Sequence, residues 1–162
     1  MKYCMDASAL IDLGERYYPE HLKIFTPIWD HLYNGIESGD ILSVDYVQTE
    51  LEKKADEWRI DFLKRASGMF FISDDIEKEY AGLVNDIESM KEFPINKHRE
   101  RFLNGADPWV IALARNIGQC KVVSAEKKSL SNYGLGPVCD VLSVSHINLI
   151  QFFEENKIGL PA

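Results

Sequence analysis

Four carboxylates, Asp6, Glu50, Asp107 and Glu126, stand where this chain could do chemistry. Asp6 lies between the apolar run 2–5 and an apolar helix start, which part-buries it, and a buried charge without a partner is costly. The other three have plainer accounts. Asp107 followed by Pro108 fits a helix cap. Glu50 precedes Glu52, Lys53 and Lys54, an exposed helix face whose ion pairs would each contribute about 0.2–0.5 kcal/mol. Glu126 precedes Lys127 and Lys128 in a loop, where a solvated charge needs no reason. Their coincidence matters more than any one of them. Two carboxylates 4 Å apart repel by about 1 kcal/mol in bulk water and about 4 kcal/mol at an effective dielectric of 20. A converging set must therefore hold protons at raised pKa or bind a cation. Oxygen ligands without His or Cys suit a hard ion, Mg²⁺ or Mn²⁺, and such ions serve chiefly phosphoryl chemistry.

The elements that must position these acids alternate along the whole chain. Short apolar runs at 2–5, 41–44, 69–72, 121–124 and 144–147 are the expected strands. Helices are expected from Ser8 to Leu13, from Pro19 to about Ile36 with Gly39 as the stop, and from Asp45 through Glu50 towards Lys64. A further acidic helix opens at Asp74 and Asp75 and reaches about Met90. The stretch 92–105 reads as an irregular excursion with one helical turn, and 129–136 as a polar loop. Ala106 to Ile117 is the clearest helix, with Asp107 as its cap and Pro108 in its first position, and Asn148 caps the last one through Glu155.

Strands separated by helices imply parallel pairing. The expected fold is a single α/β domain over 1–162, a three-layer α/β/α sandwich with a central, mostly parallel sheet and a helical or irregular insertion at about 73–105. In such a sheet functional residues gather beyond the carboxyl ends of the strands, where Asp6, Asp107 and Glu126 fall and where Glu50 follows one turn and a half into a helix.

Composition narrows the function classes. The chain has 26 acidic and 18 basic residues, a net charge of −8, with 46% apolar and 27% charged residues. That is the profile of an ordinary globular domain, large enough to bury a core without disulfide or metal staples. Three cysteines (Cys4, Cys120, Cys139) without C-x-x-C spacing argue against a disulfide framework or zinc site. No apolar run approaches the roughly 18 residues of a membrane span, and Asp6 and Asp12 interrupt the place of a signal peptide, so a cytoplasmic protein is expected. Negative charge speaks against DNA packaging but leaves room for a nucleic-acid enzyme whose acids cluster at a metal.

The ordered motifs resemble a known family. Y-C-M-D-A-S-A-L-I-D-L at 3–13 looks like the opening of a PIN domain, an apolar strand followed by Asp-x-Ser and an apolar helix. V-Q-T-E-L-E at 47–52, G-A-D-P-W-V-I-A-L-A at 105–114 and V-V-S-A-E at 122–126 resemble its later acidic motifs. V-S-H-I-N-L-I-Q-F-F at 144–153 resembles its closing strand and helix. The resemblance, to a PIN-like subgroup similar to toxins of VapC-type toxin–antitoxin pairs, implies a metal-dependent endoribonuclease. Asp6, Glu50, Asp107 and Glu126 would hold one or two Mg²⁺ or Mn²⁺ ions, and the products would carry a 5′-phosphate and a 3′-hydroxyl. Two features depart from the family: Glu126 stands where many members have Asp, with Asp140 as an alternative fourth acid, and the stretch 73–105 is long. The partners implied are RNA, a cognate antitoxin protein and a second copy in a homodimer, with no membrane.

RNA needs local positive charge. Candidates are Lys97, His98, Arg99 and Arg101 in the excursion and Lys127 and Lys128 beside Glu126, with Ser8 as a hydrogen-bonding partner of a carboxylate or phosphate or a helix cap. The tryptophans sit at helical core spacings, and the four scattered histidines give a His-based pair little support. Two rivals stand beside the nuclease: a catalytically degenerate domain that binds a protein partner, and an aspartate-dependent phosphatase, which wants a second Asp where this chain has Ser8.

Overall fold

The structure is a computed structural model that describes residues 1–159, so 160–162 of the expected domain lie outside the described residues. Five strands form one wholly parallel sheet: β1 (Lys2–Met5), β2 (Ile41–Val44), β3 (Phe70–Phe71), β4 (Cys120–Val123) and β5 (His146–Ile147). Their spatial order is β3-β2-β1-β4-β5. The chain thus builds outward from β1 in one direction and then crosses to β4 on its other side. Loops leaving β1 and β4 part from each other there, which opens a crevice beyond the strand ends.

Helices cover both faces. Successive strand side chains point to opposite sides. Cys4 Sγ lies 3.5 Å from the Val110 carbonyl of α7 (Asp107–Ile117), while the ring of Tyr3 packs edge-on against Phe152 of α9 (Leu149–Glu155). The α/β/α sandwich expected from the alternating pattern is what the chain adopts. Its best-buried helix is α7, in which seven consecutive residues from Pro108 to Ala114 are buried. No helix among the described residues is long and apolar enough to cross a membrane.

The remaining helices depart from the expected boundaries for local reasons. The first, α1 (Ala7–Ile11), runs on into a π-helix at Asp12–Tyr17. Residues 19–22 are not helical; a 3₁₀ turn at Lys23–Phe25 leads into α2 (Thr26–Ser38), whose start carries Pro27. Gly39 ends it at φ 82°, donating to Gly35 and Ile36 carbonyls. The helix expected from Asp45 towards Lys64 is two, α3 (Asp45–Glu52) and α4 (Glu57–Arg65), because the Asp56 side chain accepts from the Trp58 amide and caps a new start. Arg59 of α4 is buried, pairs with Glu15 of the π-helix and donates to the Leu51 carbonyl at 3.2 Å.

The third and fifth strands are shorter than expected, two residues each. Within the insertion, a 3₁₀ turn at Ser73–Ile76 leads into α5 (Glu77–Ser89). The excursion at 92–105 contains a two-turn helix, α6 (Lys97–Leu103), whose His98 and Arg99 amides are capped by the Asn96 side chain. The polar loop is cut short by α8 (Leu135–Val141).

Where α2 meets the sheet, a Cβ on Gly35 would lie 2.4 Å from Ile41 Cδ1 and 2.7 Å from its Cγ1. Helix propensity favours Gly35→Ala by about 1 kcal/mol, but overpacking costs about 1–3 kcal/mol. We expect Gly35→Ala to lose up to about 2 kcal/mol in urea denaturation. Adding Ile41→Val, which removes the crowding Cδ1, recovers much of that loss. A stabilised single variant would show that α2 does not press on β2 this closely.

Candidate functional site

Asp6 is the residue after β1, and the chain fixes it from three sides. Its amide donates to the Val123 carbonyl of β4 at 3.0 Å, and the Ser43 hydroxyl of β2 holds the preceding Met5 carbonyl at 2.6 Å. Its carboxylate caps α1, with Oδ2 accepting from the Ser8 amide at 3.3 Å and the Ser8 hydroxyl at 2.7 Å. Ser8 is therefore inside the helix, not its cap. Its oxygen also accepts from the Ala125 amide at 3.0 Å, so one hydroxyl ties Asp6 to the segment after β4. The next residue is Glu126.

Asp107 arrives from the other direction. Helix α7 precedes β4 and runs antiparallel to it, which brings the helix start to the same edge as the strand ends. Asp107 is the first helical residue and Pro108 the second, and the Asp107 side chain caps nothing, so helix capping does not account for this acid. Asp6, Asp107 and Glu126 each place a carboxylate oxygen within 4.8 Å of the others. Asp6 is 3% exposed; the other two are half-buried. Among the described residues, four buried side-chain polar atoms have no hydrogen-bond partner, and two belong to this trio: Asp6 Oδ1 and Glu126 Oε1.

Electrostatics follow from the crowding. Burial, then the negative charges of Asp6, Glu126 and Glu50, push the Asp107 carboxyl well above the usual carboxylate range. Burial also raises Asp6, but hydrogen bonds from Ser8, the Ala7 amide and Asp107 pull it back. Glu126 is raised by burial and by Asp6, with Lys128, whose Nζ lies 3.6 Å from Oε1, working against the shift. Glu50 stands outside the trio, on the solvent-facing side of α3. Although its own surface is open, the protein around it and the charge of Asp6 raise its carboxyl too, which places it at the rim. Asp140 is exposed on α8 and takes no part in the trio.

The basic candidates separate. Asp107, Lys128, Arg101 and His98 line one cleft of about 370 Å³. Arg99 is committed elsewhere: it donates to the Ile87 carbonyl at the end of α5 at 3.0 Å and lines a separate hollow with Glu88 and Glu100. Lys97 is exposed and does not line the cleft. Lys127 lines a second cleft, of about 780 Å³, together with Glu126, Arg16 and His146. A further hollow of about 1110 Å³, lined by Glu15, Glu20 and Arg65, contains none of the four predicted acids.

Two features escaped the sequence. Ser124 Oγ and His146 Nε2 lie 2.8 Å apart, joining the ends of β4 and β5. Burial lowers the His146 pKa, and Ser124 is 1% exposed, so the pair pins the edge beneath Glu126 without presenting a nucleophile. The second is an aromatic stack: Trp109, two residues after Asp107, lies between Tyr46 (centroids 5.0 Å, planes 8° apart) and Tyr80 (3.9 Å, 1°). Neither was legible, because the partners come from different elements.

A carboxyl whose pKa is raised on folding binds more protons folded than unfolded. Such a group lowers stability as pH rises from the ordinary carboxylate value through the raised one, and the full cost remains above that. In chelator, Asp107→Asn should therefore melt higher than wild type near neutral pH. The gap should close as pH falls to about 3, below the ordinary carboxylate value, where carboxyls are protonated in both states. A melting difference independent of pH would show that Asp107 is not titrating against its neighbours.

Comparison with known proteins adds one relationship. A search of curated proteins finds no match to the chain. A family model described as a domain of unknown function, DUF4411, matches residues 3–160, a span that contains Asp6, Glu50, Asp107 and Glu126 together with every element of the sheet except Lys2. The chain thus belongs to the DUF4411 family.

Proposed function

We propose that this chain is a divalent-metal-dependent endoribonuclease whose centre is Asp6, Asp107 and Glu126, with Glu50 completing it from the rim. The observation that carries this reading is a trio spanning no more than 4.8 Å in which two buried oxygens accept no hydrogen bond, Asp6 Oδ1 and Glu126 Oε1, the latter with only the Lys128 ammonium at 3.6 Å. Protons or a cation must relieve such a set. Carboxylate oxygens alone fit Mg²⁺ or Mn²⁺, which would supply charge neutralisation and a water acidic enough to attack phosphorus.

The protein's own part is arrangement. Ser8 occupies Oδ2 of Asp6 and leaves Oδ1 without a hydrogen-bond partner. Lys128, Arg101 and His98 border the cleft that ends at Asp107, so a phosphodiester laid there meets positive charge beside the acids. This local bias supports an anionic polymer as substrate despite the net charge of −8. An aspartyl-phosphate mechanism has less support, since Asp6 is buried and Ser8 takes the place of the second acid. A degenerate binding domain has no need to keep three crowded carboxyls together, because their repulsion only costs stability.

Asp6→Asn keeps the helix cap, since Asn serves there as well as Asp, and removes a charged ligand. We expect it to fold and to cut single-stranded RNA at least about 100-fold more slowly in Mg²⁺ or Mn²⁺. Wild-type products should carry a 5′-phosphate. Retained cleavage in this variant would refute the centre.

A cation bound only by the folded state adds about 2.7 kcal/mol at a hundredfold excess over Kd. For 162 residues that is a melting shift of about 5–10 °C. Asp107→Asn should show a much smaller shift with Mn²⁺; equal shifts would exclude Asp107 from the centre.

A further inference from the structure

Tyr46 is an exposed aromatic on the helix that carries Glu50, 42% open to solvent, while Trp109, on which it stacks, is 9% exposed. It lies four residues before Glu50 on α3, so the two side chains share one face of that helix. Trp109 follows Asp107 by two residues on α7. Tyr46 thus shares a helix with Glu50 and stacks on the residue two beyond Asp107.

The ring is also held flat. It rests almost parallel on Trp109, which rests on Tyr80, and the Tyr80 hydroxyl donates to the Leu103 carbonyl of α6 at 3.1 Å. Three rings from α3, α7 and α5 make a column anchored at its lower end and open at its upper one. A buried packing column would close both ends; this one ends at Tyr46, exposed on the helix that carries Glu50.

Resting on the nuclease reading above, we propose that Tyr46 is a stacking platform for one unpaired base of a single-stranded RNA, seated next to the scissile phosphate. Every base has a π-face, so such a platform selects unpaired over paired nucleotides and not one base over another. Because the ring is already fixed by Trp109, little freedom is lost when a base lands on it. The substrate class is then single-stranded RNA or an unpaired loop, and a continuous duplex, whose bases are stacked on each other, is disfavoured.

The test uses short single-stranded RNAs, with Ca²⁺ in place of Mg²⁺ or Mn²⁺ and the RNA checked intact on a gel. In wild-type protein, an abasic nucleotide moved stepwise along the RNA should weaken binding at one position next to the protected phosphate, and 2-aminopurine at that position should be quenched. Tyr46→Ala should bind about 5- to 150-fold more weakly and lose the quenching. Tyr46→Trp should keep both. The Mn²⁺-linked melting shift should be the same in all three proteins, which separates the platform from the metal centre.

Wild-type affinity and quenching in Tyr46→Ala, or an abasic scan with no sensitive position, overturns the platform and leaves the nuclease reading standing. Failure of the wild type to bind any single-stranded RNA while Mn²⁺ still raises its melting temperature overturns both.

Discussion

Mutual repulsion among carboxyl groups at the end of a parallel sheet is the constraint around which this molecule is arranged. Asp6, Asp107 and Glu126 are brought within 4.8 Å by three separate chain segments. Charges this close in a partly desolvated pocket work against folding. The fold tolerates them because each is fixed by bonds other than those to its neighbours: Asp6 by β4 and Ser8, Asp107 by the start of a deeply buried helix, Glu126 by the Ser8–Ala125 contact one residue before it. Rigid positioning on strand ends and a core helix keeps the set from relaxing apart. The raised carboxyl pKa values and the unsatisfied oxygens are the electrostatic expression of that arrangement.

Much of the frame was legible because it is written locally. Apolar runs marked the strands, Gly39 the end of α2, and Asn148 the cap that opens α9. What escaped depended on contacts distant in sequence. The helix α8 contains Gly136 and Pro137, poor helix formers, yet it forms because Leu135, Val138 and Cys139 are buried and because His146 packs against Gly136, where a Cβ would lie 2.9 Å from the ring. The break between α3 and α4 turned on Asp56 capping Trp58, a signal hidden within a continuous helical pattern.

The site was legible to a similar depth. Position after a strand sufficed for Asp6 and Glu126, and the D-P start of α7 for Asp107, although that start also suggested a cap the structure does not make. Glu50 was placed by helix register alone, and register cannot tell a pocket floor from its rim. Among the bases, Arg101 and Lys128 reach the cleft while Arg99 serves the end of α5; only the Ile87 carbonyl distinguishes it, twelve residues away. The stack under Tyr46 joins three helices and left no pattern in any one of them.

The most direct measurement of the central account is calorimetric titration of wild-type protein with Mn²⁺ near pH 6.5, repeated in buffers of different ionisation enthalpy. A cluster that holds protons in place of a cation must give them up when the cation binds. A saturable binding heat with net proton release is expected, and a loss of most of that release in Asp107→Asn. Absence of saturable heat, or binding with no proton released, would contradict it.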